Sequence, residues 1–141
     1  MPNSKPPLPQ PQPDVLTAPF WKACQRRVLE VSACRDCGHL FLPPGPCCPQ
    51  CWGTRLTSQE VSGRGRVFSF VIYRRTYHRA MPAPYVVALV ELDEGPRLIS
   101  NIVGCAPEEV AIDMPVEVRF EQAGDFTLPH FAPVCDGREN T

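Results

Sequence analysis

The chain has 141 residues, 43% apolar and 21% charged, and a formal net charge of −1. This suits one ordinary globular domain, or two small lobes sharing a core, with no overall electrostatic pull toward nucleic acid or membrane. The longest apolar run, Tyr85–Val90, is far too short to cross a bilayer, and the N-terminus lacks the apolar stretch of a signal peptide, so a cytoplasmic location is expected.

Residues 1–16 begin "MPNSKPPLPQPQP" and read as a disordered, Pro-rich arm that cannot bury a core. Residues 17–31 read as a short helix and the strand that leads into the next region. In "TAPFWKACQRR", Thr17 can cap the helix, Pro19 fits its first turn, and Phe20, Trp21 and Cys24 cluster on one side. A helix this short has little tendency to stand alone, so it must dock on a surface of this chain or of a partner. "VLEVSAC" (28–34) then alternates as a strand does.

Residues 32–57 carry five of the eight cysteines. With two Cys-x-x-Cys pairs and no export signal, reduced thiols in a metal site are expected rather than a disulfide framework. Cys34 and Cys37, then ten residues, then Cys48 and Cys51, form a zinc-ribbon pattern. Each pair can wrap one ion from a tight knuckle turn, and tetrahedral zinc takes two such pairs. Gly38 and Gly53 offer the backbone freedom a knuckle needs. Cys47 breaks the matched spacing and is set aside. A site closed by four thiolates is structural and not catalytic. Cys24, Cys105 and Cys135 are scattered and read as small buried hydrophobes. His39, His78 and His130 are isolated, and no nucleophile, metalloprotease, Walker or paired-carboxylate signature is present.

Residues 58–135 read as all-β, and 136–141 as a flexible tail. "VSGRGRVFSFVIYRR" has a Gly-rich start suited to a bend or bulge, then a strand apolar on both faces. "YVVALVEL" and "RLISNIV" form a hairpin around "DEGP", and "APEEV" is one helical turn. "PVEVRF" alternates, with Val116, Val118 and Phe120 inward and Glu117 and Arg119 outward. "DFTLPHFAPV" is a last extended segment that its prolines place at an edge. Five short strands and one helical turn make a small barrel of the OB type. The fold class is thus mainly β: a short N-terminal helix, a rubredoxin-like zinc ribbon and a five-stranded OB barrel.

The pieces "APFWKAC", "CRDCGHLFLPP", "CPQC", "VSGRGRVFSF", "PYVVALVELDEGPRLISNIVGC", "MPVEVRFE" and "LPHFAPV" cover most of residues 18–134. In that order they resemble the acyl-CoA-associated OB-fold family with an N-terminal rubredoxin-like zinc ribbon, first catalogued as a domain of unknown function. One departure is Arg27, where a glycine is expected in the turn after the helix. The resemblance implies a non-catalytic accessory subunit in a hetero-oligomer with a thiolase-like enzyme, including the sterol-carrier-protein type. It also implies chemistry on acyl-CoA thioesters by that complex, such as acyl transfer, condensation or retro-aldol cleavage of steroid side chains. Phe20, Trp21, Leu128 and Phe131 are then candidate partner contacts, as aromatic anchors often are.

"GRGRVFSFVIYRRTYHR" interleaves five arginines with aromatic residues. Arg64 and Arg66 are candidate contacts for the phosphates of CoA, since guanidinium forks suit phosphate oxygens. The same composition on an OB barrel could serve single-stranded nucleic acid, which is the alternative function. The plain reading is that the apolar residues fill the barrel while the arginines at the strand ends are solvated or pair with acids such as Asp93 and Glu94. Period-two geometry puts Phe68, Phe70 and Ile72 on one face and Val67, Val71 and Tyr73 on the other, leaving neither face free for bases. Near-neutral charge also argues against general nucleic-acid binding.

Overall fold

A computed structural model describes residues 8–134. The first seven residues of the Pro-rich arm, Cys135 and the tail 136–141 lie outside the described residues. Helix α1 (Ala18–Gln25) comes first, followed by β1 (Leu29–Cys34), β2 (Leu40–Phe41) and β3 (Leu56–Val61). These strands form one antiparallel sheet in the order β2-β1-β3. Then come β4 (Arg64–Tyr73), β5 (Tyr85–Leu92), β6 (Arg97–Ile102), a 3-10 turn (Pro107–Glu109), β7 (Pro115–Ala123) and β8 (Phe126–Pro133). The last five strands close into a barrel in the order β4-β5-β6-β8-β7. The expected helix, ribbon and five-stranded OB barrel are all present. The strand β3, too polar to announce itself, pairs with β1 from Leu29↔Val61 to Cys34↔Leu56.

The start of α1 differs from expectation in its cap. Thr17 makes no side-chain cap bond. Instead Asp14 Oδ1 accepts from the N–H groups of Leu16 and Thr17 and from Thr17 Oγ1, at 2.9, 2.9 and 3.1 Å. A carboxylate reaches three donors where a hydroxyl reaches one, so the turn 14–17 forms the N-terminal stop. At the other end, Arg27 N donates to Cys24 O and Val28 N to Ala23 O, the pairing of a Schellman motif. Arg27 occupies its left-handed position with φ 63°, the conformation that makes glycine the expected residue there. Its guanidinium donates to Phe120 O at 3.1 Å, tying the helix end to β7.

Two glycines make the junction of ribbon and barrel. Gly63 turns the chain from β3 into β4 at φ 82°, and a Cβ there would collide with Val118. A Cβ at Gly65 would press on the Glu91 carbonyl across the sheet. Leu29, Val31 and Val61 of the ribbon sheet share one buried cluster with Val67, Val90, Val116 and Phe131 of the barrel. The two regions therefore have a common core, while Cys34, Phe41 and Cys48 form a small second cluster under the knuckles.

The grouping of β4 into two apolar faces does not hold. The ladder with β5 shifts register between Val67 and Ser69, a bulge at Phe68. One extra residue flips the alternation, so Val67 points inward with Phe70 and Ile72. Phe68, Val71 and Tyr73 are left on the outside, 37%, 55% and 37% exposed. At the far side of the barrel β8 meets β6 only at Ile102↔Phe131. Pro129 has no N–H to offer, and the wall between β6 and β8 stays open beside it.

Candidate functional site

The two knuckles are near copies of one another. Cys34 N donates to His39 O and Gly38 N to Cys34 O; Cys48 N donates to Gly53 O and Trp52 N to Cys48 O. Asp36 N and Gln50 N point at the first sulfur of each pair, at 3.4 and 3.3 Å. The position after the second cysteine is left-handed in both, Gly38 at φ 81° and Trp52 at φ 65°. Trp52, not Gly53, thus takes the strained turn. Gly53 is needed for a different reason: a Cβ there would come within 2.7 Å of Asp36 Oδ2 and 3.2 Å of Cys51 Sγ. Asp36 is itself anchored by Arg55 at 2.8 Å.

This frame brings Cys34, Cys37, Cys48 and Cys51 together, with all four sulfurs within 4.8 Å of one another. The pairs Cys34–Cys51 and Cys37–Cys48 are 3.6 Å apart. Zn–S bonds of about 2.3 Å in a tetrahedron require sulfur–sulfur edges of about 3.8 Å, so the cage has the right size for zinc. Its protons tell the same story. The N–H of Cys37, helped by that of Asp36, draws the Cys34 thiol down to about 7. At Cys51 the Gly53 N–H favours the thiolate, but the Cys34 and Cys37 sulfurs prevail and push the thiol up to about 12. Four thiolates this close need a cation among them. The site is a structural zinc site with no open coordination position. Cys47 stays outside it.

A second feature lies between α1, the ribbon and the barrel. An open groove of about 630 Å³ is lined by Phe20 and Trp21 of α1, Leu42–Pro44 of the ribbon, Leu98 and Ile99 of β6 and Leu128 of β8. Its volume falls in the range of ligand and peptide sites. Most polar groups on its walls are already engaged. Ser100 Oγ donates to Pro129 O at 2.6 Å, Asn101 Nδ2 to Val86 O at 2.9 Å, and His130 Nδ1 to Glu121 Oε1 at 2.8 Å. Ile99 is 72% exposed at the rim.

The groove gathers three of the four residues picked out as partner contacts: Phe20, Trp21 and Leu128. Phe131 is a correction, for it is fully buried in the barrel core and has no surface to offer. Leu128 and Phe131 lie an odd number of residues apart on β8, and everything from Pro129 to Ala132 is buried, so Phe131 does not share the outward face of Leu128. Arg66 is a second correction. Its guanidinium is held between the carboxylates of Glu91 and Asp113, both of which hold its pKa above the usual arginine value, so its charge is already paired within the barrel. Pairing with acids was expected, but the acids are not Asp93 and Glu94. Glu91, lowered by Arg66 and Arg97 together, links this end of β4 to the groove rim at Arg97. Arg64 is exposed at the first position of β4.

Ile99 and Arg97 are not singled out by the sequence, and His130 reads there only as an isolated histidine. The alternation of "RLISNIV" puts Ile99 outward but cannot say that the neighbouring wall is open. Among the described residues no helix is long and apolar enough to cross a membrane.

Comparison with known proteins bears on this arrangement directly. Residues 21–57 match the family model of the ChsH2 rubredoxin-like zinc ribbon domain, and residues 58–121 that of the ChsH2 C-terminal OB-fold domain. A probable enoyl-CoA hydratase alpha subunit of Thermomonospora curvata is 42% identical over 123 residues, 86% of this chain but only 39% of that protein. The chain therefore spans about two fifths of that relative. A DUF35 domain-containing scaffold protein of Methanothermobacter thermautotrophicus is 42% identical over 70% of this chain and 75% of its own length. The benzoylsuccinyl-CoA thiolase subunit BbsA of Thauera aromatica is 31% identical over 83% of this chain and 78% of its own. Among solved structures, a chain of the Ltp2-ChsH2(DUF35) aldolase superposes with a TM-score of 0.82 at 41% identity, covering 88% of this chain and 98% of that one. With its ribbon and its barrel each matched in order, the chain belongs to the ChsH2/DUF35 family of zinc-ribbon OB-fold proteins.

Proposed function

We propose that the chain is a non-catalytic accessory subunit of a thiolase-like enzyme that acts on acyl-CoA thioesters. The observation that carries the reading is the groove. A helix too short to persist alone, the ribbon and the open seam of the barrel cooperate to build an apolar surface with Phe20, Trp21, Leu128 and Ile99 in reach of solvent. Rigid aromatic and aliphatic residues around a concave surface are what a protein partner uses as anchors. The zinc site supports the reading because it stiffens one wall of the groove without offering chemistry of its own. Relatives named as a scaffold, as a thiolase subunit and as part of an aldolase support it from outside the chain. On this reading the enzyme subunit supplies the reacting groups, for acyl transfer, condensation or retro-aldol cleavage, and is of the sterol-carrier-protein thiolase type.

The test is co-expression with a thiolase-like subunit from the same genome, followed by purification through a tag on this chain. A stoichiometric complex with activity on an acyl-CoA is expected. Leu128→Arg and Ile99→Arg should release the companion while leaving zinc content and the thermal midpoint of this chain in place. If the chain elutes alone, or if both variants hold the companion as tightly as before, the accessory role is lost.

A further inference from the structure

Charge is distributed unevenly along the barrel. From Arg64 to Val90 the sequence contains no Asp or Glu, although the chain has 15 of them. At the start of β4 this imbalance is corrected by Glu91 and Asp113 on neighbouring elements, which hold Arg66. At the other end of the strand nothing of the kind happens. Arg74, Arg75 and Arg79 lie in the loop between β4 and β5, all exposed, and among the described residues none of the three forms an ion pair.

The loop is built rather than slack. Met81 N donates to His78 O at 2.9 Å, Ala80 N to His78 Nδ1 at 3.0 Å, and Ala83 N to Thr76 Oγ1 at 2.9 Å. Beside the arginines stands a group of three tyrosines. Tyr73 stacks on Tyr85 with centroids 5.1 Å apart and meets Tyr77 edge-on at 5.7 Å. The Arg75 guanidinium lies 5.5 Å from the centre of the Tyr77 ring, which is 66% exposed. The Phe68 bulge is what turns Tyr73 outward to begin this group.

We infer that the β4–β5 loop is a binding site for a phosphorylated adenine nucleotide, with the tyrosines receiving the base and Arg74, Arg75 and Arg79 the phosphates. Guanidinium forks match phosphate oxygens in pairs, and an exposed tyrosine flanked by a cation is a face on which a purine stacks. An acidic protein surface would satisfy the arginines but would leave the aromatic group without a role. The inference rests on the accessory-subunit reading only in naming the source: the nucleotide end of coenzyme A carries an adenine and three phosphates, and would be held by this loop and not by Arg64 or Arg66.

The experiment uses the full zinc-loaded chain, titrated calorimetrically with adenosine 3′,5′-bisphosphate, with coenzyme A and with a ten-residue oligothymidylate. Saturable binding of the bisphosphate and of coenzyme A is expected, weakening as salt rises. The triple variant Arg74→Ala/Arg75→Ala/Arg79→Ala should lose at least tenfold in affinity and Tyr77→Leu severalfold, while Arg64→Ala leaves it unchanged. Thermal midpoints equal to that of the parent show that these exposed loop substitutions leave the fold in place. The inference is overturned if neither nucleotide saturates, if the triple variant binds as the parent does, or if the oligonucleotide binds tenfold more tightly than coenzyme A. A chain that binds the bisphosphate yet captures no thiolase-like companion keeps this site and loses the accessory role; the reverse result does the opposite.

Discussion

The ribbon and the barrel share a core but are held by different forces. Inside the barrel, Val67, Val90, Val116 and Phe131 are each completely buried, and side-chain packing under the strand ladders closes the structure without a metal. Under the knuckles, the second cluster consists of Cys34, Phe41 and Cys48 with Leu56 against it, far too little apolar area to order some thirty residues. There the metal does what packing does elsewhere. The lesson is that a short polar strand such as β3, exposed along most of its length, can persist because its neighbours are bolted at Cys34 and Cys48 and its last residue, Val61, reaches the barrel core.

Removing zinc should break this comparison most completely. A structural zinc site contributes on the order of 10 kcal/mol at neutral pH, more than the whole net stability of many small domains. Chelation, or Cys48→Ser, is expected to strip amide protection from β1–β3 first, while β5 and the β7–β8 hairpin keep theirs. Hydrogen exchange resolved by peptide measures this; uniform retention of protection in the ribbon would show that packing suffices there.

The complementary injury is Phe131→Ala. A fully buried phenylalanine truncated to alanine costs about 3–5 kcal/mol, and here the cavity would open beside the single point where β8 meets β6. A large drop in thermal midpoint is expected with the four-sulfur site still binding zinc stoichiometrically. Had Phe131 been a partner contact, its truncation would have left the isolated chain's stability nearly unchanged.

The smallest effect sharpens the comparison within the ribbon. Gly38 and Trp52 hold equivalent left-handed positions, but only one is a glycine. Trp52→Gly is expected to stabilise the isolated chain by about 1 kcal/mol or less, since it removes a Cβ from a conformation that disfavours one and uncovers little buried surface. Chemical denaturation before and after the change measures it. A marked loss of stability would mean that the exposed indole packs on the ribbon after all.

Much of this protein was legible from residues alone, and the legible parts have a common character. The zinc ligands, the short helix and the five barrel strands are encoded by spacing and alternation that each segment carries within itself. Cys-x-x-Cys brings two sulfurs to one ion whatever surrounds it, and "PVEVRF" sorts its faces without help. The family resemblance, not the residues themselves, adds Arg27 as a residue in a glycine's place, and the structure gives it a glycine's φ.

What only the tertiary structure decided depends on residues that meet from distant parts of the chain. The bulge at Phe68 is a relation between two strands, so counting along β4 alone misassigned its faces. The partners of Arg66 come from β5 and from the turn before β7, 25 and 47 residues away in sequence. The groove exists because β6 and β8 pair at one position and a helix settles beside the gap. Whether an arginine is neutralised or left free, and whether a phenylalanine is core or surface, follows from which charges and side chains fill the space around it. Sequence spacing gives reach along one element; only the packed fold supplies the neighbours.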